Sequence, residues 1–174
     1  MDQKVYELIN EQIKNEFYSA YLYMDFANYY ADEGLNGYAN WYMIQTQEER
    51  DHALIMRNYL IMNNCKVVLK AIDQPDKTYT SFMDPLVFGL EHEKEITGLL
   101  NVIYEAAYDA RDFRTMQFLD WFIKEQGEEE QNAQDMVTNM KLFGSDPKGL
   151  YDLDREYAAR VYTVPSPLAA GANA

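Results

Sequence analysis

The sequence predicts an all-α protein: a four-helix bundle with a long crossover between its second and third helices, and a short fifth helix after the fourth. Three observations predict it. In 174 residues there are 8 Gly and 5 Pro, few breakers for a chain that size. Four stretches repeat apolar residues at alternating spacings of three and four, the period of one helix face. The breaks after the first and third stretches are short and the one after the second is long, which gives an up-down-down-up order. The length suits one domain with a sizeable core.

The first helix is predicted over residues 2–33, with Asp2 as N-cap and Gly34 as the stop. Its inward stripe is Ile9, Ile13, Glu16, Ala20, Tyr23, Ala27 and Tyr30. The break Gly34-Leu35-Asn36-Gly37 is short, so the second helix, over 36–63, returns antiparallel. Its stripe is Tyr38, Tyr42, Gln45, Glu49, His52, Met56 and Tyr59. Residues 64–81 have no sustained period, and Gln74-Pro75-Asp76 marks a turn. A helix of about 28 residues is about 42 Å long, and about 18 extended residues reach roughly 60 Å. The link can therefore cross the whole bundle and start the third helix parallel to the second.

The third helix is predicted over 82–110, with Pro85 in its first turn and a stripe of Leu86, Gly89, Glu93, Ile96, Leu100, Ile103 and Ala107. His92, beside Glu93, is assigned to the surface. The fourth helix follows a break at Arg111-Asp112 and ends at Gly144. Its stripe is Met116, Leu119, Phe122, Gln126, Glu129, Ala133, Met136 and Met140, and Gly127 is unexpected in its interior. Asp146-Pro147 is an N-cap and N1 pair that opens a short helix over 147–160. Residues 1–162 are read as the bundle domain. The tail 163–174, rich in Pro, Ala and Gly, is expected to be flexible and held by a neighbouring subunit.

The net charge is −14, which argues against nucleic acid, whose phosphates need Lys and Arg. One cysteine, Cys65, excludes an intrachain disulfide and any cysteine-based metal cluster. No apolar run approaches membrane length and the N-terminus has no signal-peptide pattern, so the expected location is cytoplasmic.

Each stripe is interrupted by polar residues near its middle. Glu16 precedes Glu49 by 33 positions, and Glu93 precedes Gln126 by 33. An offset of 77 maps Glu16 onto Glu93, Glu49 onto Gln126, and His52 onto Glu129. This is a repeated helical hairpin, and packing four helices side by side brings the six side chains to one level. A buried carboxylate is costly unless paired or bound to a cation. Glu16, Glu49, Glu93 and Glu129 supply four negative charges, which two divalent cations neutralise, with Glu49 placed to bridge them. Oxygen donors with one imidazole suit iron or manganese, with zinc as competitor. Without metal, burial and repulsion raise the carboxylate pKa values. Symmetric carboxylate bundles carry two Glu-x-x-His motifs. This chain has one, Glu49 to His52, and Gln126 to Glu129 stands for the other, so one metal is expected to be held more weakly.

The segments around Glu16 (Asn15 to Tyr23), Gln47 to His52, and Trp121 to Glu130 resemble the bacterial non-haem ferritins over about residues 1–160. The resemblance implies a ferritin-like bundle assembled into a cage of 24 identical subunits. Such a cage oxidises Fe(II) with dioxygen or hydrogen peroxide and stores a ferric mineral. It implies a first iron on Glu16, Glu49 and His52, and a second on Glu49 and Glu93 with Gln126 and Glu129 nearby. It also implies a third iron site from Glu48, Glu125, Glu128 and Glu129. Tyr23 matches the tyrosine near the family's centre, and Trp121 the neighbouring tryptophan. Bacterioferritins resemble the chain too, but their haem-ligating Met falls where Arg50 stands, so no haem is expected. The alternatives are a di-iron peroxidase or oxygenase of the rubrerythrin or bacterioferritin type, and a non-catalytic bundle used for assembly.

Overall fold

The computed structural model describes residues 1–171. The helices are α1 (Gln3–Asp32), α2 (Asn36–Met62), α3 (Asp84–Asp109), α4 (Phe113–Phe143), α5 (Pro147–Tyr157) and α6 (Ser166–Gly171). Each of the five predicted helices lies within three residues of its expected bounds.

The helix ends follow from local chemistry. Asp2 accepts hydrogen bonds from the Lys4 and Val5 amides, Asp112 from Thr115, and Asp146 from Gly149. Gly34 turns the chain after α1 with φ +81°, a conformation open to glycine. Leu35, the N-cap of α2, has no side-chain acceptor to offer. Asp154 of α5 supplies the missing acceptor instead, bonded to the Gly37 amide at 2.7 Å and the Tyr38 amide at 3.1 Å.

The crossover runs along α1. Tyr6 donates to the Lys66 carbonyl, and Asn10 exchanges two bonds with Val68. Further on, Tyr79 donates to Asp25, and Tyr30 to the Phe82 carbonyl. The link thus starts beside the beginning of α1 and finishes beside its end. That path makes α3 parallel to α2 and gives the up-down-down-up bundle. Helix α1 pairs most extensively with α2, and α3 with α4.

Two apolar clusters fill the interior. One is mainly aliphatic and includes Ile9, Ile13, Met56, Leu60, Leu100, Ile103 and Leu119. The other is mainly aromatic, around Tyr23, Phe26, Tyr30, Tyr38 and Tyr42. The acidic positions of the four stripes lie along each helix between the residues of these two clusters.

Two expectations change. His92 is half-buried and not free on the surface: Ser19 holds its Nε2 at 2.8 Å, and the rings of Tyr18 and Tyr23 meet it edge-on. Burial pushes its pKa down to about 4, with Lys77 adding to the effect. The tail, expected to be held by a neighbouring subunit, makes contacts within its own chain as far as residue 171. Tyr162 donates to Asp51, residues 166–171 form α6, and Leu168 packs against the aliphatic cluster of its own chain. The rest of the expected tail lies outside the described residues.

Candidate metal centre

Glu16 comes from α1, Glu49 and His52 from α2, Glu93 from α3, and Gln126 and Glu129 from α4. Buried apolar residues flank them along the stripes, Ile13 and Ala20 on α1, Tyr42 and Met56 on α2, Leu86 and Ile96 on α3, Phe122 and Met136 on α4, so folding the bundle drags the polar six into its interior. All are buried, and Glu129, at 9 % exposure, is the most open. Two groups of three converge, with ligand atoms within 4.8 Å of one another: Glu16, Glu49 and His52, and Glu49, Glu93 and Glu129. Glu49 belongs to both.

Hydrogen bonds hold the acids in place. Gln12 donates to Glu16 at 3.0 Å, and Gln45 donates to Glu49 at 3.2 Å and to Glu129 at 2.9 Å. Tyr23 donates to Glu93. Gln126 donates to the Glu93 carboxylate at 2.5 Å and to its carbonyl at 3.1 Å. His52 Nδ1 lies 3.2 Å from Glu49, while its Nε2 is buried with no hydrogen-bond partner. Trp121 meets the His52 ring edge-on with centroids 5.5 Å apart.

Charge is badly compensated here. Burial pushes Glu16 up. Burial, then the nearby Glu93 and Glu16, pushes Glu49 well above the carboxylate range. Burial, then Glu49 and Glu93, does the same to Glu129. Glu93 is pushed up to about 7 by burial, against the pull of the Tyr23 and Gln126 bonds. For His52, burial opposes protonation, but the field of Glu129, Glu16, Glu125 and Glu93 prevails and raises its pKa. Four crowded acids and an orphaned imidazole nitrogen form a donor set that fits divalent cations.

Of the four acids expected to make a third site, Glu125 lies near enough to Glu48 to oppose its ionisation. Glu48 pairs with Arg160 at 2.5 Å, Glu128 is exposed and lies 3.4 Å from Lys124, and Glu129 belongs to the central group. Arg50 is exposed and pairs with Asp51. Gln12 lies off the apolar stripe of α1 and supports the centre all the same. Its signal was present, because Gln12-x-x-x-Glu16 recurs 33 positions later as Gln45-x-x-x-Glu49.

A four-helix packet that closes acids from all four helices and one imidazole into its dry middle defines the class of carboxylate metal bundles. The particular family follows from comparison with known proteins. Residues 6–143 match the model described as the ferritin-like domain, and the chain belongs to the ferritin family. It is 33 % identical over 155 residues to the bacterial non-heme ferritin of Campylobacter jejuni, covering 89 % of this chain and 93 % of the relative. It is 30 % identical over 162 residues to that of Staphylococcus saprophyticus, covering 93 % and 97 %. Among solved structures, an open-pore ferritin from the archaeon Archaeoglobus fulgidus superposes with a TM-score of 0.91 at 37 % identity, covering 92 % of this chain and 99 % of that one. An engineered closed form of the A. fulgidus ferritin gives the same score and identity, covering 94 % and 99 %.

Proposed function

We propose that this chain is an iron-storage protein with ferroxidase activity, cytoplasmic, haem-free and assembled as a cage of 24 subunits. Iron is its substrate and cargo. The observation that carries the reading is the sharing of Glu49 between two convergent groups of donors in a buried layer. Family membership supports it.

Fe(II) displaces protons from the raised carboxyls and binds in two places. One ion takes Glu16, Glu49 and His52; the other takes Glu49, Glu93 and Glu129, with Gln126 beside it. The four carboxylates then balance two divalent ions, which offsets the cost of burying them. Each Fe(II) gives up one electron. With dioxygen, two Fe(II) and two protons yield two Fe(III) and one hydrogen peroxide. With hydrogen peroxide, two Fe(II), one peroxide and two protons yield two Fe(III) and two waters. Tyr23 and Gln126 hold Glu93 in position through both steps. Fe(III) then passes to the cage interior as mineral.

Stopped-flow Fe(II) oxidation tests the reading. Glu16→Ala and His52→Ala are each expected to slow the fast phase strongly; unchanged rates in both would falsify the site assignment. Sizing tests the cage: 24 chains of 20.4 kDa give about 490 kDa, and elution as a monomer or small oligomer overturns it.

A further inference from the structure

The chain has 15 tyrosines, and several of them form a connected array of rings that starts at the metal centre. Its inner member is Tyr23, which donates to Glu93. Two branches leave Tyr23. One runs through Tyr42, Tyr30 and Tyr38, with successive ring centres 5.6, 5.9 and 4.9 Å apart. The other runs through Phe26 to Tyr79, with ring centres 5.6 Å apart at each step. Rings at these separations are in contact. Electron tunnelling weakens steeply with distance, so it is fast between them.

The branches differ in where a proton can go. A phenol gives up an electron readily when its proton leaves at the same time, and that needs a base at the hydroxyl. Tyr30 donates to the Phe82 carbonyl, a poor base, and the Tyr38 hydroxyl is buried without a partner. Tyr79 donates to the Asp25 carboxylate. Burial, then the Asp25 bond, pushes the Tyr79 phenol up, so it keeps its proton until it is oxidised. Asp25 lines an open groove of about 390 Å³ between α1 and the crossover, so a proton it receives passes to water. The second branch therefore has a carboxylate at each end, Glu93 inside and Asp25 outside.

We propose that Tyr79 and Asp25 are the outer end of an electron relay, through Phe26 and Tyr23, that gives the centre a second electron when hydrogen peroxide meets a chain holding one Fe(II). The inference rests on the reading of the centre above and adds an activity to it. The O–O bond of peroxide breaks and takes up two electrons and two protons to give two waters. Fe(II) supplies one electron and becomes Fe(III). Tyr23 supplies the other and passes its proton to Glu93; it then recovers an electron from Tyr79 and its proton from Glu93. Tyr79 is left as a neutral tyrosyl radical, its proton on Asp25 and then in solvent. In sum, one peroxide, one Fe(II), one tyrosine and one proton give one Fe(III), one tyrosyl radical and two waters. A half-filled centre thus reduces peroxide fully and releases no hydroxyl radical.

The test is spin trapping on the assembled protein. Loaded without oxygen with one Fe(II) per chain, it is mixed with one equivalent of hydrogen peroxide and 2-methyl-2-nitrosopropane, then digested with trypsin for mass spectrometry. The adduct is expected on the peptide 78–94, whose single tyrosine is Tyr79. Tyr104, which has Asp120 as a base but no ring path to the centre, is expected to stay unlabelled, as are Tyr108 and Tyr151, which are more exposed than Tyr79. Phe26→Leu breaks the ring path and Asp25→Asn removes the outer base. Each is expected to abolish the Tyr79 adduct while leaving dioxygen-driven oxidation at two Fe(II) per chain unchanged. Labelling spread over Tyr104, Tyr108 and Tyr151, no adduct on Tyr79, or an adduct undiminished in either variant overturns the proposal. If Phe26→Leu does not assemble, Asp25→Asn decides. Fe(II) left unoxidised in the natural chain overturns the reading of the centre and takes the relay with it.

Discussion

The two hairpins of the bundle use the same frame differently. In the first, Glu16 and Glu49 each have a glutamine one turn earlier on their own helix, Gln12 and Gln45, donating to them. In the second, the equivalent positions 77 residues on are Gly89 and Phe122. Glu93 is held instead across the bundle, by Tyr23 from α1 and Gln126 from α4. Where the first hairpin places Glu49 as an acid shared by both donor groups, the second places Gln126, a neutral donor to an acid. The first half thus offers a complete set of ligands with an imidazole, and the second offers carboxylates that depend on other helices. The difference teaches that the repeat fixes where the side chains meet, while the residue at each position fixes how tightly an ion is held.

The largest test removes the residue common to both groups. Glu49→Ala deletes a donor from each site at once and leaves His52 Nδ1 without its partner. Loss of supporting groups around a metal costs 10- to 100-fold, so loss of the shared ligand is expected to slow initial Fe(II) oxidation on the order of 100-fold or more. Stopped-flow absorbance checks this. A fall of only a few-fold breaks the claim that the two halves share one acid.

A second test makes the halves alike. Changing Gln126→Glu together with Glu129→His gives the second hairpin the Glu-x-x-His of the first. The weaker site is expected to tighten roughly tenfold, so that a two-step Zn(II) titration merges toward one step. If the steps remain as far apart as before, the asymmetry lies in the surrounding hydrogen bonds and not in these two residues.

The third test concerns pH in the metal-free protein. Burial raises Glu93 from 4.5 in the unfolded chain to about 7 in the folded one. The folded state therefore keeps the proton longer. The stabilising contribution is fully present below pH 4.5 and is lost as pH rises through 7. Glu16, Glu49 and Glu129 are shifted in the same direction, as is His52. The thermal midpoint of metal-free protein is expected to fall by several degrees between pH 5 and pH 7.5. Glu93→Gln flattens the slope, and added Zn(II) reverses it by neutralising the acids. A midpoint that rises over this window without metal breaks the electrostatic account.

Much of this was legible because helix periodicity reports which residues face inward. The four stripes located Glu16, Glu49, His52, Glu93, Gln126 and Glu129, and the 33-residue offset set them at one height. Periodicity says little about lateral partners. His92 sits beside a stripe position and looked exposed, yet Tyr18, Ser19 and Tyr23 from α1 close over it. Glu125 and Glu128 share a face of α4, and Lys124 pairs with Glu128 and Arg160 with Glu48. Arg160 itself was invisible because its reach depends on α5 docking at Gly37, a contact between residues 117 apart in sequence. The crossover and the tail carry no period, so only their reach was predictable; α6 rests on a contact made by Leu168 with the distant aliphatic cluster.

The smallest test asks why the second half carries Gly127 where the first has Arg50. A Cβ built on Gly127 meets nothing within 4 Å, and the residue lines an open groove of about 360 Å³ between α3 and α4. Helix α4 runs unbroken through it, so neither crowding nor a distortion within the chain requires glycine there. Gly in a helix interior costs about 1 kcal/mol relative to Ala. Gly127→Ala is therefore expected to stabilise an isolated subunit by about that amount, a rise of roughly 2–4 °C in the thermal midpoint for a chain this size. Differential scanning calorimetry of the assembled protein sharpens the comparison. A rise means that the groove stays open in the assembly, and a fall means that a neighbouring subunit packs against the Gly127 Cα. The second outcome gives the glycine an intersubunit role for which Arg50 has no counterpart.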